Sequence, residues 1–220
     1  LPVWAYRAVG GMTPKLSGED FYFLQKIVKT GRLPHWNSEI VYPAARLSDR
    51  VFFGTGPALI KGIAGDWNSY PVYHYRLFDM VSETYKLFPA LFLRNTETPL
   101  DPFLIRKFGE LPWNGLRQNF KTKDHFIRAC HEKLDGLRIL QFLKESQLPD
   151  EQLSETALRE LLMLYRKQFP ELISDVDPGI SFSGSSVADL NYTRDVLFEI
   201  EMNYRKIHWN DFTGLTTMYN

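Results

Sequence analysis

Hydrophobic positions follow two different rhythms along this chain. From about Tyr70 onward they return every three or four residues, the interval that collects side chains on one face of a helix. Leu77, Met80, Val81 and Tyr85 predict a helix over 73–88, ended by Pro89. Thr122-Lys123-Asp124 opens a long helix reaching about Glu145, with Phe126, Cys130, Leu134, Leu137 and Gln141 along one face. Ser154-Glu155-Thr156 opens another, which ends near Phe169 before Pro170 and turns Ala157, Leu158, Leu161, Leu162 and Tyr165 toward a core. A last helix over 188–207 uses Tyr192, Val196, Leu197, Ile200 and Tyr204, and the Ser/Gly-rich stretch 179–186 before it reads as a loop.

Up to about Ala64 glycine, proline and aromatic residues break the rhythm into short elements joined by turns. A helix is predicted over 19–29, with Gly31 beyond it as a stop. Ile40, Val41 and Tyr42 predict a short strand within 36–42, ended by Pro43. Arg46-Leu47-Ser48-Asp49-Arg50 and Gly54-Thr55-Gly56-Pro57 read as loops on either side of the apolar anchor Val51-Phe52-Phe53. Trp4, Tyr6 and Val9 read as the interior of a folded element, so the chain is expected to begin within a domain.

Composition narrows the classes. Hydrophobic residues make up 44% of the 220 and charged residues 24%, a profile that can bury a core. With 26 basic against 26 acidic residues, a general nucleic-acid footprint is not expected. One cysteine, Cys130, excludes an intrachain disulfide framework and a multi-cysteine metal site, and fits a reducing compartment. The most apolar stretch, 87–93, is far below the roughly 18 residues of a membrane span, and Leu1-Pro2-Val3-Trp4 is no secretory signal.

The chemistry with most content is Ser17-Gly18-Glu19-Asp20, an adjacent carboxylate pair behind a glycine at the first turn of a predicted helix. A carboxylate there meets the positive end of the helix dipole and unbonded backbone N–H groups, which favours its charged form. A fixed, charged carboxylate is what a general base needs. The same residues also serve as an ordinary helix start, and spacing alone does not choose between the two roles.

Other features bear on that choice. Ala5-Tyr6-Arg7-Ala8-Val9-Gly10-Gly11-Met12, then Ser17-Gly18-Glu19-Asp20 with Phe23-Leu24 and Gly31, resembles the acceptor-side segment of a family 2 glycosyltransferase of the GT-A type. Val41-Tyr42-Pro43-Ala44-Ala45-Arg46-Leu47-Ser48-Asp49-Arg50 and Phe53-Gly54-Thr55-Gly56 are similar to a branch found in bacterial members. The resemblance covers roughly the first 65 residues. It implies an α/β parent fold, with this chain mostly helical and carrying a few short strands in its first 65 residues. Residues 1–65 would form the acceptor-side end of the catalytic domain, and residues 66–220 a helical C-terminal extension.

By position, the resemblance makes Asp20 the base that removes the proton from an acceptor hydroxyl in an inverting transfer, and Glu19 the residue that orients the acceptor or Asp20. Arg46 and Arg50 fall where relatives neutralise the departing nucleoside diphosphate, although their Gln-x-x-Arg-Trp pattern is missing here; surface ion pairing with Glu39 or Asp49 is the alternative. Gly54 and Thr55 offer backbone N–H groups to a phosphate, or a plain turn. Trp36 is a candidate sugar contact, as are Trp4, Tyr6 and Trp67. Partners implied are a nucleotide-sugar donor and a glycan or lipid-linked acceptor in polysaccharide biosynthesis, with no nucleic acid. The expected location is cytoplasmic, with peripheral contact at the inner face of the membrane left open.

The family uses a divalent metal, magnesium or manganese, held by an Asp-x-Asp upstream of the base. The Asp-x-Asp of this chain, Asp175-Val176-Asp177, lies downstream before Pro178-Gly179 and reads as a turn. Metal ligands and the donor pocket are therefore expected upstream of Leu1, and the isolated chain is expected to be inactive. The five histidines, at 35, 74, 125, 131 and 208, show no ligand spacing. The competing expectation is a non-catalytic helical binding or scaffold module in which Glu19-Asp20 is only a helix cap.

Overall fold

The computed structural model describes residues 2–15, 18–30, 44, 46–50, 54–147 and 150–207. Every regular element among them is a helix: α1 (Val3–Ala8), α2 (Glu19–Val28), α3 (Thr55–Ile63), α4 (Tyr75–Leu93), α5 (Asp101–Phe108), α6 (Pro112–Asn119), α7 (Lys123–Lys133), α8 (Gly136–Ser146), α9 (Glu151–Gln168), α10 (Pro170–Ile173) and α11 (Val187–Ile207). The expected α/β class with short strands in the first 65 residues is thereby corrected, since the described residues of that stretch contain helices and no strand. The strand predicted over Ile40, Val41 and Tyr42 lies outside the described residues, as does Gly31. Part of the correction falls on Gly54-Thr55-Gly56-Pro57, expected as a loop. Gly54 is the N-cap of α3, and Thr55, Gly56 and Pro57 form its first turn, where a missing proline N–H costs nothing. The buried residues of α3, Ala58 and Gly62, are four apart, one helical turn rather than a strand alternation.

Side-chain capping sets several of the boundaries. Thr122 caps α7 by accepting the His125 N–H, and Asp150 caps α9 by accepting the Leu153 N–H at 2.8 Å, so α9 begins before the predicted Ser154. Ser186 and Asp189 form a reciprocal box at α11: Ser186 Oγ accepts the Asp189 N–H, and Asp189 Oδ2 accepts the Ser186 N–H at 3.1 Å. The single helix predicted over 122–145 is two, because Leu134 leaves the helical region and Asp135 Oδ1 takes the Arg138 N–H at 3.1 Å to start α8. Conversely, α4 runs through Pro89 instead of ending there. A proline in a helix interior costs about 3 kcal/mol, and the complete burial of Phe88 beside it and near-complete burial of Leu91 offset that. Among the described residues no helix is long and apolar enough to cross a membrane.

The chain divides into two compact units. The first takes in Leu1–Tyr70, Phe88–Thr96 and Pro102–Phe142. Its core is aromatic: the Phe88 ring lies 5.4 Å from Trp113 and 5.0 Å, edge-on, from His131, while Phe92 meets Phe126 at 5.5 Å. Phe88, Phe126, Cys130 and Leu134 are fully buried. Burial pushes the Cys130 thiol up to about 12, which keeps it protonated and unreactive, as expected of a structural thiol. Burial also lowers the His131 pKa, favouring the neutral ring. Trp4 and Tyr6, expected inside, are largely exposed; Ala5 between them is the buried residue of α1.

The second unit takes in Pro71–Leu87, Glu97–Asp101 and Leu143–Asn220. Leu158 and Leu162 of α9, Ile173 of α10, Val176, Ile180, and Val196 and Ile200 of α11 make its core. On α11 the predicted face is only partly buried, with Tyr192 and Tyr204 near half-exposed. Segment 71–74 is held by side chains acting on its backbone: Gln147 Oε1 accepts the His74 N–H at 2.8 Å, Gln147 Nε2 donates to the Val72 carbonyl at 2.8 Å, and Ser154 Oγ accepts the Val72 N–H. The Ser/Gly-rich loop is clasped by Glu155, whose Oε1 accepts the Ser181 hydroxyl at 2.7 Å and the Phe182 N–H at 2.6 Å. Arg159 bonds Glu155 Oε2 at 3.1 Å and the Ile180 carbonyl at 3.0 Å.

These contacts, the Ser181 hydroxyl first, then the Phe182 N–H and the Arg159 charge, hold the Glu155 carboxyl below its ordinary 4.5. A carboxyl with a depressed folded pKa adds stability that is complete above the unfolded value and is lost as pH falls through the folded one. Glu155→Gln is therefore expected to lower Tm by roughly 2–4 °C above about pH 5, with the deficit shrinking in more acid solution. Thermal melts of both proteins at several pH values check this; a deficit that persists unchanged to about pH 3 would contradict it.

Candidate functional site

The carboxylate pair is built by three glycines and a strap. After α1 the backbone turns through Gly10 and Gly11, both near φ +70°, and Gly11 lies so close to the Tyr6 ring that a side chain there would meet it at 2.9 Å. Only glycine satisfies both demands. The segment that follows is tied to α2: Lys26 Nζ donates to Thr13 Oγ1 at 2.8 Å and to the Gly11 carbonyl at 3.3 Å. The Lys15 ammonium sits 3.6 Å from the centre of the Tyr22 ring, a cation–π contact. Tyr6 meets Phe23 of α2 at 5.5 Å.

Gly18, left-handed at φ 72°, is the N-cap of α2 and brings Glu19 and Asp20 into its first turn. Both are exposed. Asp20 Oδ1 accepts the Phe21 N–H at 2.7 Å, which fixes the carboxylate and leaves Oδ2 for a second donor. The other end of α2 is anchored in the same unit. Ile27 is buried, Lys29 Nζ pairs with Asp135 Oδ2 at 2.8 Å, and Arg128 donates to the Lys29 carbonyl at 3.0 Å. A short helix pinned at its last turn and strapped along its side can hold an exposed carboxylate in one place.

The second set of predicted residues has a local geometry of its own. Arg46 and Arg50 are exposed, and the Arg50 N–H donates to Ser48 Oγ at 3.4 Å. The Ser48 carbonyl approaches Gly56 closely enough that a side chain there would meet it at 2.4 Å, so the arginine segment lies against the first turn of α3, beside Gly54 and Thr55. Among the described residues neither arginine forms an ion pair, with Asp49 or any other carboxylate, and no hydrogen bond links this segment to Glu19 or Asp20. Trp36, His35 and Glu39 lie outside the described residues. Of the remaining aromatic candidates, Trp4 is 71% exposed, and Trp67 packs its ring over the backbone of Gly62.

Asp175 and Asp177 behave as turn residues. Asp175 Oδ1 accepts the Ser174 hydroxyl and Asp177 Oδ1 accepts the Gly179 N–H at 2.8 Å. Among the described residues no group of three or more His, Cys, Asp or Glu side chains is placed to hold a metal ion. The divalent metal that the resemblance implies thus finds no ligand set in them.

The residues that sequence reasoning passed over are Thr13, Lys15 and Lys26, which make the strap. Lys26 lies seven positions after Glu19, two turns along the same helix face, and that spacing was the available signal. Chemically, the arrangement offers an exposed carboxylate bonded to a backbone N–H on a helix that two lysines tie to the preceding segment, a group able to accept a proton from an incoming hydroxyl. No family model, curated protein or solved structure matches the chain.

Proposed function

We propose that this chain contributes the acceptor-side catalytic segment of an inverting glycosyltransferase, with Asp20 as general base. The observation that carries the reading is the Asp20 carboxylate, held on its Oδ1 by the Phe21 N–H at the glycine-capped start of α2. What also supports it is the strap from Gly11 and Thr13 to Lys26, which joins the Gly10-Gly11 turn and the Gly-Glu-Asp box into one local assembly. A sugar hydroxyl is a poor nucleophile until a placed base takes its proton in the transition state, and a surface carboxylate leaves room for an extended acceptor. Glu19 orients the acceptor or Asp20. Arg46, Arg50 and the Gly54-Thr55 turn are the cationic and N–H donors offered to the departing diphosphate, with Trp36 as a sugar contact. The donor is a nucleotide sugar and the acceptor a glycan or a lipid-linked glycan.

The second reading, a helical binding or scaffold module, is favoured by the same Asp20–Phe21 bond, since a first-turn carboxylate on a backbone N–H also stabilises a helix start. The two part on turnover. Incubated with a panel of nucleotide sugars and glycan acceptors, the complete polypeptide is expected to release nucleoside diphosphate only when an acceptor is present. Release that ignores the acceptor, or none with any pair, would sink the transferase reading and leave the binding module.

A further inference from the structure

The surface of α6 carries a second polar constellation, which does not depend on the sugar-transfer reading. Asn114, Arg117 and Gln118 stand three and four residues apart on that helix, and with Asn95, which follows α4, they line a shallow depression of about 510 Å³. Arg117 Nη2 donates to Asn95 Oδ1 and to Asn114 Oδ1. With both carboxamide oxygens turned to the guanidinium, the amide N–H groups of Asn95 and Asn114 point away from it, as the planar geometry of the amide requires.

The remaining inventory is lopsided. Among the lining side chains, each asparagine keeps two N–H donors, Arg117 keeps its Nε and Nη1 donors, and Gln118 brings an amide with donors and one acceptor. Among the described residues no carboxylate lines the depression, and the guanidinium is held there by neutral carboxamides. Lys121, whose Nζ is tied to the Gln118 carbonyl at 3.1 Å, adds a second positive charge beside it. With both Nη2 hydrogens given to the asparagines, the Nε and Nη1 donors of Arg117 and the carboxamide N–H groups remain, and a donor-rich, cationic surface suits an oxyanion.

We propose that this depression is a binding site for the oxyanion group of a small solute, a phosphate or a carboxylate. The test is a nitrogen-15 NMR titration of the chain with inorganic phosphate and, separately, with acetate, each at ionic strength matched with chloride. The expected result is saturable shifts of the Asn95, Asn114 and Gln118 side-chain amides and of the Arg117 guanidinium. The two arms report which oxyanion is preferred. Arg117→Ala is expected to weaken binding about tenfold or more, and Arg117→Lys, which keeps the charge but not the hold on both asparagines, by a smaller factor. Shifts that fail to saturate with both anions, or that are as large in Arg117→Ala, would overturn the site.

Discussion

Replacing Asp20 by asparagine is expected to slow sugar transfer by ~10²–10⁴-fold while leaving nucleotide-sugar affinity near that of the unaltered protein. The substitution is chosen for what it retains. Asparagine still offers an oxygen to the Phe21 N–H that Asp20 Oδ1 accepts at 2.7 Å, so the start of α2 and the Gly18 turn survive. It loses the ability to accept a proton. A fall of that size corresponds to about 2.7–5.5 kcal/mol of transition-state stabilisation. Loss of a helix cap costs about 0.5–2 kcal/mol of stability and does nothing to a bond-making step. The rate therefore separates the two readings of the carboxylate pair, and an unchanged thermal melt shows that the variant keeps the helix start. Transfer at near the unaltered rate in Asp20→Asn would remove Asp20 from the chemistry.

Trp113→Ala is expected to destabilise the first unit by about 3–5 kcal/mol, the largest stability effect of any single truncation in that core. Trp113 is 1% exposed and packs on Phe88, itself fully buried and in edge contact with His131. Deleting the indole leaves a cavity bordered by rings on rigid helices α4, α6 and α7, which cannot close over it. Burial of Phe88 and Leu91 is also what offsets Pro89 in α4, so a looser core weakens the helix where it is already short of a hydrogen bond. Chemical denaturation followed by circular dichroism measures the change, with Trp113→Phe as a volume-sparing control. A loss below about 1 kcal/mol would show that this aromatic cluster is not the core of the unit.

Legibility in the sequence tracked the physics of each element. Long periodic helices were readable: α2, α9 and α11 begin and end within a few residues of where spacing and caps put them. The failures are local. Pro89 was read as a terminator because the burial that offsets it depends on residues distant in sequence. The break at Leu134-Asp135 was hidden by continuous periodicity on both sides. Helix α5 was missed although Asp101 in its first turn accepts the Thr98 hydroxyl at 2.6 Å and the Thr98 N–H at 2.9 Å, and α6 although Pro112 sits in its first turn.

At the candidate site, the sequence located the carboxylates and the glycines around them, because Gly11 and Gly18 hold conformations that only glycine adopts cheaply. It could not reveal the strap from Thr13 to Lys26, since a lysine's partner is chosen by tertiary folding. The α/β class came from the resemblance and the strand over Ile40, Val41 and Tyr42 from β-branched residues before a proline. The helical structure corrects the class among the described residues, and that strand lies outside them.

The central claim, a base-assisted inverting transfer, is tested most directly by the anomeric configuration of the first glycoside formed. Proton NMR of the product, recorded before mutarotation or further reaction, reads that configuration against the donor's. The expected result is inversion, as a single displacement by a deprotonated acceptor hydroxyl requires. Retention of the donor's configuration would contradict the role given to Asp20.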